Sequence, residues 1–269
     1  MKLSEAIKIL GAAGIDNPRY DATELFRAIG KIDRTALLFP DTDCSSPLLS
    51  EAIERRRRRE PLQYIIGEVD FYRESYKVTP DCLIPRQDTE ILVDYAVKNI
   101  PRGAHFLDLC TGCGCIALST LKNTEKTTAT AVDVSSRALD VARLNADKNG
   151  VSDRVRFILG DVLEAPLSDG VFAVLSNPPY IPRIDYEKLQ PEIYFEPEIA
   201  FVGGEDGMVF YERITELYKD KILPDGFIAY EIGYDQADKI SAVAEKHAMR
   251  CEIIKDYSGN CRVAVLKNK

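Results

Sequence analysis

The sequence lacks several features that would point to particular classes of protein. It has no tryptophan, and its only two histidines, His105 and His247, lie far apart along the chain. No stretch approaches the roughly 20 apolar residues that a membrane-spanning helix needs, and the first residues form no apolar signal segment. We therefore expect a cytoplasmic protein with no membrane partner.

Basic residues are in the minority. The chain of 269 residues carries 35 Lys and Arg against 43 Asp and Glu, which gives a formal net charge of −8. A broad electrostatic attraction to nucleic acid is not expected from such a chain, so no direct nucleic-acid partner is predicted. The exception is the unbroken run Arg55 to Arg59, which is either the solvated end of a helix or a patch for an acidic or RNA-bound partner.

Seven cysteines are an odd number in a chain with no export signal, which indicates reduced thiols. Three of them, Cys110, Cys113 and Cys115, lie close together, but no fourth ligand follows at a spacing typical of metal sites. We predict small buried thiols and no metal site.

The pattern along the chain predicts a small helical domain over residues 1–60 and an extended or hairpin linker over 61–82. Asp21 is predicted to cap one of the helices, and Asp88 or Thr89 another. Residues 83–269 alternate apolar strands with helices, which predicts a doubly wound α/β fold with a mainly parallel, seven-stranded sheet.

Polar residues follow the predicted strands, where ligands bind in such sheets. Gly112 and Gly114 come after the first strand and allow the backbone to approach a ligand closely. Asp133 ends the next strand and could hold a ribose diol. The loop lacks the third glycine of a dinucleotide fingerprint and has no basic side chain, so it suits a cationic ligand such as a sulfonium better than a pyrophosphate.

A buried strand runs into Ser176-Asn177-Pro178-Pro179-Tyr180. The two prolines force the backbone out of the sheet into a stiff turn whose carbonyls can accept hydrogen bonds. Asn177 adds an amide that accepts and donates, and Tyr180 adds a flat aromatic face. The combination suits a planar –NH2 group, although a proline-rich turn without a function is the simpler alternative.

Together these segments resemble a known family. Asp108-Leu109-Cys110-Thr111-Gly112-Cys113-Gly114 resembles the first motif of class I S-adenosylmethionine-dependent methyltransferases, and Asn177 to Tyr180 narrows the resemblance to enzymes that methylate an amide or exocyclic amine nitrogen. Further matching segments are Pro61 to Gly67, Ile84 to Glu90, Glu196 to Ala200, Gly203 to Gly207, and Glu231-Ile232-Gly233. The set is similar to the HemK/PrmC family, the glutamine-N5 methyltransferases of peptide-chain release factors. Cys110, Cys113, Cys115 and Gln87 depart from that family's pattern.

The resemblance implies S-adenosylmethionine as cofactor, a release factor as protein partner, and methyl transfer to the glutamine of its Gly-Gly-Gln motif. The implied catalytic residues are Asn177, Pro178 and Tyr180. The implied cofactor residues are Asp108, Cys110, Thr111, Gly112, Cys113, Gly114, Asp133, Asp161, Val162 and Asn177. The implied substrate-binding residues are Asn177, Pro178, Pro179, Tyr180 and Arg86. The helical domain is expected to dock the substrate.

Three other functions stay open. The protein could methylate a glutamine of a ribosomal protein, methylate adenine N6 in DNA, or bind S-adenosylmethionine without catalysis. The Asn-Pro-Pro-Tyr turn alone does not separate the first two from a release-factor enzyme. The sequence leaves the oligomeric state open, with a monomer as the default expectation.

Overall fold

The chain forms two compact units in the computed structural model, which describes residues 1–164 and 170–269. The first unit comprises Met1–Glu68 together with Gln190–Phe195, and the second comprises Val69–Leu189 and Glu196–Lys269. The first unit therefore extends past residue 60 and takes in a short segment from much later in the chain.

The first unit is helical, as the apolar spacing predicts. Its helices are α1 (Leu3–Ala12), α2 (Pro18–Ala28), α3 (Pro47–Arg57) and α4 (Leu62–Ile66). Leu10, Leu25, Phe26 and Leu49 are fully buried in one apolar core. Burial of such side chains contributes about 1.5–3 kcal/mol each, which is what holds these short helices together.

Two sequence predictions for this unit are wrong. Asp21 does not cap α2, because the helix begins earlier and Asn17 accepts the Tyr20 N–H at 3.2 Å instead. Residues 61–67 are not extended: Leu62–Ile66 is a helix, which Gly67 ends with a φ of +85°.

The arginine run is engaged in ion pairs within the unit. Arg56 Nε contacts Asp21 Oδ2 at 2.7 Å, and both side chains are buried. Glu192 binds Arg56 at 3.1 Å through one oxygen and Arg59 at 2.8 Å through the other. Glu54 pairs with the two arginines at positions 57 and 58. These contacts favour a structural role for the run over a patch for an acidic partner.

The second unit contains a seven-stranded sheet in the order β5-β4-β3-β6-β7-β9-β8. Its strands are β3 (His105–Leu109), β4 (Thr128–Asp133), β5 (Val155–Leu159), β6 (Val171–Ser176), β7 (Ile222–Glu231), β8 (Met249–Lys255) and β9 (Cys261–Asn268). The first five are parallel, and β9 runs antiparallel to both β7 and β8. A separate hairpin, β1 (Glu68–Phe71) and β2 (Glu74–Lys77), precedes the sheet. The predicted fold class is confirmed.

Helices between the strands cover the sheet, so its central strands are continuously apolar. They are α5 (Glu90–Asn99), α6 (Cys115–Lys122), α7 (Ser136–Asn149), the single turn α8 (Arg183–Tyr186), α9 (Val209–Tyr218) and α10 (Ala237–Lys246). None of the helices in the described parts of the chain has the length and apolar character of a membrane span.

The strand order places two loops side by side. Strand β3 lies between β4 and β6, so the direction of winding reverses there and a crevice opens at the carboxyl ends. Leu109 and Ser176, the last residues of β3 and β6, are paired in register, and Ser176 Oγ donates to the Leu109 carbonyl at 2.7 Å. The glycine loop and the Asn-Pro-Pro-Tyr turn therefore start from neighbouring points.

Replacing Gly114 by Ala should destabilise the second unit more than replacing Gly112 by Ala. Both glycines have positive φ, +87° and +56°, so each substitution costs about 1–2 kcal/mol of backbone strain. A Cβ at Gly114 would in addition lie 3.0 Å from Leu118 Cδ1 and 3.3 Å from Ala142 Cβ, whereas a Cβ at Gly112 meets nothing within 4 Å. In urea unfolding experiments, the free energy of unfolding of Gly114→Ala should therefore lie about 1–3 kcal/mol below that of Gly112→Ala. Equal losses in the two variants would contradict this packing account.

Candidate active site

The loop after β3 is built around the buried carboxyl of Asp108. Its Oδ2 accepts the Thr111 hydroxyl at 2.5 Å and the Ala117 N–H at 3.1 Å, which ties the loop to the first turn of α6. Oδ1 is buried and accepts no hydrogen bond from the described residues. Because burial disfavours the charged form, the pKa of Asp108 is raised to about 7.

Asp133, at the end of β4, holds the opposite side of the loop. Its Oδ2 accepts the Gly112 N–H at 2.8 Å and its Oδ1 accepts the Ser135 N–H at 2.9 Å. Burial raises the pKa of this carboxyl. Since a carboxylate has about four acceptor positions, each oxygen keeps one for a ligand hydroxyl.

A cleft opens in front of these strand ends. Its lining contains six of the predicted cofactor residues, namely Cys110, Gly112, Asp133, Asp161, Val162 and Asn177. The other four, Asp108, Thr111, Cys113 and Gly114, do not line the cleft; their direct contact with a cofactor stays a prediction.

The charged groups that line the cleft suit a cationic ligand. Asp81, Asp133 and Asp161 contribute carboxyl groups to the lining, and among the described residues the lining contains no lysine, arginine or histidine. An anionic pyrophosphate would find no cationic partner there. A sulfonium with a ribose diol fits these residues.

Cys110 occupies a strained position at the mouth of the loop. Its φ is +61°, in the left-handed region that favours glycine, so the cysteine costs backbone energy there. Burial raises the pKa of its thiol. The prediction of small buried thiols is confirmed for Cys113 and Cys115 and is wrong for Cys110, which is only partly buried and lines the cleft.

The Asn-Pro-Pro-Tyr turn leaves the sheet directly after Ser176 and is held by close backbone packing. Ile181, the next residue, donates its N–H to the Phe201 carbonyl at 2.8 Å and accepts the Gly203 N–H at 3.0 Å. A Cβ on Gly203 would collide with the Pro179 carbonyl, and a Cβ on Gly207 with the Tyr180 carbonyl. The Gly203 to Gly207 segment is therefore the surface on which the turn rests.

Two acceptor oxygens of the turn receive no hydrogen bond from the described residues. Among residues 1–164 and 170–269, no group donates a hydrogen bond to Asn177 Oδ1 or to the Pro178 carbonyl. Asn177 lines the large cleft and also a second, smaller cavity, while Pro178 lines neither. Pro179 lines the large cleft, and Tyr180 lines the small cavity.

The small cavity holds the predicted substrate residues Arg86 and Tyr180, together with a residue that had no assigned role, Glu231. Arg86 is ion-paired with the buried Glu196, whose Oε2 also accepts the Ile84 N–H at 2.9 Å. Burial of the ring raises the pKa of the Tyr180 hydroxyl. Glu231 ends β7, so the rule of strand ends could have selected it from the sequence.

The fold and this site define a class I S-adenosylmethionine-dependent methyltransferase. A family model described as a methyltransferase small domain matches residues 87–190, and one described as the PrmC N-terminal domain matches residues 2–67. The fold is also that of a solved ribosomal protein L11 methylase from Lactobacillus delbrueckii subsp. bulgaricus, with a TM-score of 0.51 at 17% identity over 71% of this chain and 84% of that chain.

The chain belongs to the release factor glutamine methyltransferase family. It is 38% identical over 257 residues to the release factor glutamine methyltransferase of Thermodesulfovibrio yellowstonii, covering 92% of this chain and 91% of the relative. It is 36% identical over 264 residues to the corresponding protein of Geobacter sulfurreducens, covering 94% and 91%. The family resemblance seen in the motifs is confirmed, and with it S-adenosylmethionine as the methyl donor.

Replacing Asp108 by Asn should change how stability depends on pH. The unfolded carboxyl loses its proton near pH 4 and the folded one near pH 7. Between these values the folded state holds an extra proton, so this group lowers stability progressively as pH rises through the window. The asparagine side chain of the variant does not bind a proton in this range. The free energy of unfolding of the variant minus that of the wild type, measured by urea unfolding, should therefore become more positive from pH 4 to pH 7.

The control is Asn99→Ala, which changes an exposed side chain on α5. Its difference from the wild type should stay flat over the same pH range, because neither side chain at that position titrates. An equally flat difference for Asp108→Asn would show that the buried carboxyl does not take up a proton on folding.

Proposed function

We propose that this enzyme transfers a methyl group from S-adenosylmethionine to the side-chain amide nitrogen, N5, of the glutamine in the Gly-Gly-Gln motif of a release factor. The observation that carries the proposal is the position of Asn177. It lies where the large cleft and the small cavity share a wall, and its Oδ1 accepts no hydrogen bond from the described residues. Family membership supports the same substrate.

The main contribution required of the protein in this reaction is to orient the substrate amide. An amide nitrogen is a poor nucleophile because its lone pair is delocalised into the carbonyl. Asn177 Oδ1 and the Pro178 carbonyl can each accept one N–H of the substrate amide, which fixes the nitrogen and its plane, and Tyr180 can cover that plane. Well-oriented reactants can save on the order of 7–11 kcal/mol of barrier at best.

The large cleft provides the cofactor side. When bound, S-adenosylmethionine supplies a methyl group activated by the positive sulfur. Asp133 would hold the ribose hydroxyls, Gly112 would let the backbone approach, and Asp161 and Val162 would lie beside the adenine. The carboxyls of the lining suit the cationic sulfur.

Ribosomal protein and DNA are the rival substrates. The net charge of −8 disfavours DNA, which requires cationic contacts to phosphates. Incubating the protein with labelled cofactor and purified release factors, ribosomal protein and DNA separates the three, because only the true substrate takes up label. Label in ribosomal protein or DNA but not in the release factors would overturn the proposal.

Replacing Asn177 by Ala should abolish methyl transfer and leave cofactor affinity nearly intact. The substitution removes one of the two acceptors that orient the amide, a loss expected to lower kcat at least about 100-fold by analogy with removal of an oxyanion-hole donor. Methylation assays and cofactor titration by calorimetry give the two quantities. Asn99→Ala, on the exposed side of α5, is the control and should match the wild type. Full activity in Asn177→Ala would defeat this mechanism.

We also propose that the helical unit docks the body of the release factor. Leu38 and Phe39 are adjacent in its sequence and 71% and 66% exposed. Exposed apolar neighbours of this kind are typical of interaction sites when they form a patch. The arginines at positions 55–59 are already ion-paired within the protein. The apolar side chains of Leu38 and Phe39 are therefore better candidates for contact with the release factor.

The double substitution Leu38→Ser and Phe39→Ser should raise KM for an intact release factor and leave methylation of a short Gly-Gly-Gln peptide unchanged. The peptide reaches only the small cavity, so it does not depend on the docking contact. Tyr257→Ser, which removes a side chain that is 97% exposed in the second unit, is the control. Equal changes with protein and peptide would remove the docking role.

Three further expectations complete the proposal. Release factors act where translation occurs, which supports action in the cytoplasm. The acidic net charge supports a protein partner without direct nucleic-acid contact. A monomer is sufficient, because every group assigned above belongs to one chain.

A further inference from the structure

Glu231 carries a carboxylate oxygen that has no partner among the described residues. The residue ends β7 and is only 2% exposed, and it lines the small cavity together with Asn177 and Tyr180. Its Oε1 accepts the Tyr180 hydroxyl at 3.5 Å, whereas its buried Oε2 accepts no hydrogen bond from the described parts of the chain. A buried carboxylate oxygen without a partner is destabilising. A ligand in the cavity that donates to Oε2 would remove this penalty.

The neighbouring arginines do not bind this oxygen. Arg262 forms its ion pairs with Asp88 at 3.1 Å and with Asp256 at 3.3 Å. Arg86 lines the same cavity as Glu231, but it is ion-paired with another buried glutamate. Oε2 of Glu231 therefore stays available inside the cavity, as far as the described residues show.

The small cavity combines a hydrogen-bond acceptor with a hydrogen-bond donor. An ionised Glu231 can only accept, whereas the Arg86 guanidinium can only donate. Among the hydrogen bonds of the described residues, Arg86 uses one of its nitrogens, in the contact with its glutamate. A peptide main chain offers the complementary groups, because it carries an N–H and a carbonyl oxygen at each residue. The pair of charged side chains in this cavity therefore suits a main chain as well as a side-chain amide.

We propose that Glu231 is a substrate-binding residue whose Oε2 accepts the main-chain N–H of the glutamine that is methylated. The two N–H groups of the side-chain amide are assigned to Asn177 and Pro178, and the glycines of the motif have no side chain. Main-chain N–H groups are therefore the remaining donors of the Gly-Gly-Gln segment. That of the glutamine itself is the nearest, because Glu231 and Asn177 line the same cavity. The inference rests on the proposed function, since it concerns the same substrate residue.

This contact makes the site selective for a main-chain amide. A glutamine whose main-chain nitrogen is replaced by an oxygen would leave Oε2 of Glu231 buried and unpaired. A site built to bind an N–H rejects an analogue that lacks it, because the polar group of the protein then loses its partner. Substrate selection would thus extend beyond the amide that receives the methyl group.

The charge of Glu231 sets the pH of the test. Burial raises its pKa to about 7, and among the charges near it that of Arg262 lowers the pKa and that of Asp88 raises it. The other titratable groups that line the cavity are Tyr180 and Arg86. At about pH 8.5, more than one unit above this pKa, Glu231 is mostly ionised and acts only as an acceptor.

The test combines a change in the enzyme with a change in the substrate. Glu231→Met removes the acceptor and nearly keeps the shape of the side chain. In a short peptide that contains Gly-Gly-Gln, the α-hydroxy acid analogue of glutamine replaces its main-chain N–H by an ester oxygen. Either change alone should lower kcat/KM by about 10- to 100-fold. The two changes together should lower it no further than one of them, because both remove the same contact.

Three controls separate this contact from a structural role. Glu245→Met changes an exposed glutamate on α10 and should behave as the wild type. A peptide with the ester at the residue before the motif should be methylated as fast as the amide peptide. Glu231→Gln keeps an acceptor oxygen and should keep a preference for the amide peptide over the ester peptide, which Glu231→Met should lose.

Two results would overturn the proposal: equal kcat/KM of the wild type for the amide and ester peptides, or an amide-to-ester ratio in Glu231→Met as large as in the wild type. If Glu231→Met does not fold, the two peptides on the wild type decide. If the wild type methylates neither the amide peptide nor an intact release factor, the proposed function itself has failed.

Discussion

The site depends on one steric constraint, the contact between the Asn-Pro-Pro-Tyr turn and a surface of glycines. Gly203 and Gly207 lie against the carbonyls of Pro179 and Tyr180 so closely that neither position has room for a Cβ. The prolines limit how the turn can adjust, since their φ is fixed. The glycines must therefore adapt to the turn, and through this contact Asn177 keeps its place at the end of β6. A weak nucleophile such as an amide nitrogen needs a rigid hydrogen-bond acceptor, because an acceptor that moves cannot hold the nitrogen in one orientation.

Buried acids surround this rigid element, and each is stabilised differently. Asp108 is held by a hydroxyl and a backbone N–H, and Asp133 by two backbone N–H groups. Glu231 has one oxygen without a partner among the described residues, and its pKa is raised to about 7. Desolvation of a carboxyl costs stability, and such a cost is found both at functional groups and at groups that hold a structure together. Asp108 shapes a loop, whereas Glu231 lines the small cavity that we propose for the substrate.

Much of this arrangement is predictable from the sequence. The strands end where apolar runs meet polar residues, so the crevice and the positions of Gly112, Asp133 and Asn177 follow from periodicity and from the strand-end rule. The fold class follows from the alternation of strands and helices. Local patterns fail where tertiary contacts compete with them. Asp21 has the spacing of a cap, but a buried arginine from another helix binds it, and this pairing is invisible in a short window of sequence.

Thr89 illustrates the same limit at the site itself. Its sequence context predicts a helix cap, but Gln87–Thr89 already form a helical turn that leads directly into α5, and Thr89 has helical φ and ψ of −64° and −20°. A capping residue lies outside the helical region, so the prediction of a cap at Thr89 is wrong. Its hydroxyl oxygen instead accepts a hydrogen bond from Asn177 Nδ2 at 3.4 Å, 88 positions further along the chain. A contact between residues so distant in sequence depends on how the chain folds around the end of β6, and no short window of sequence contains that information.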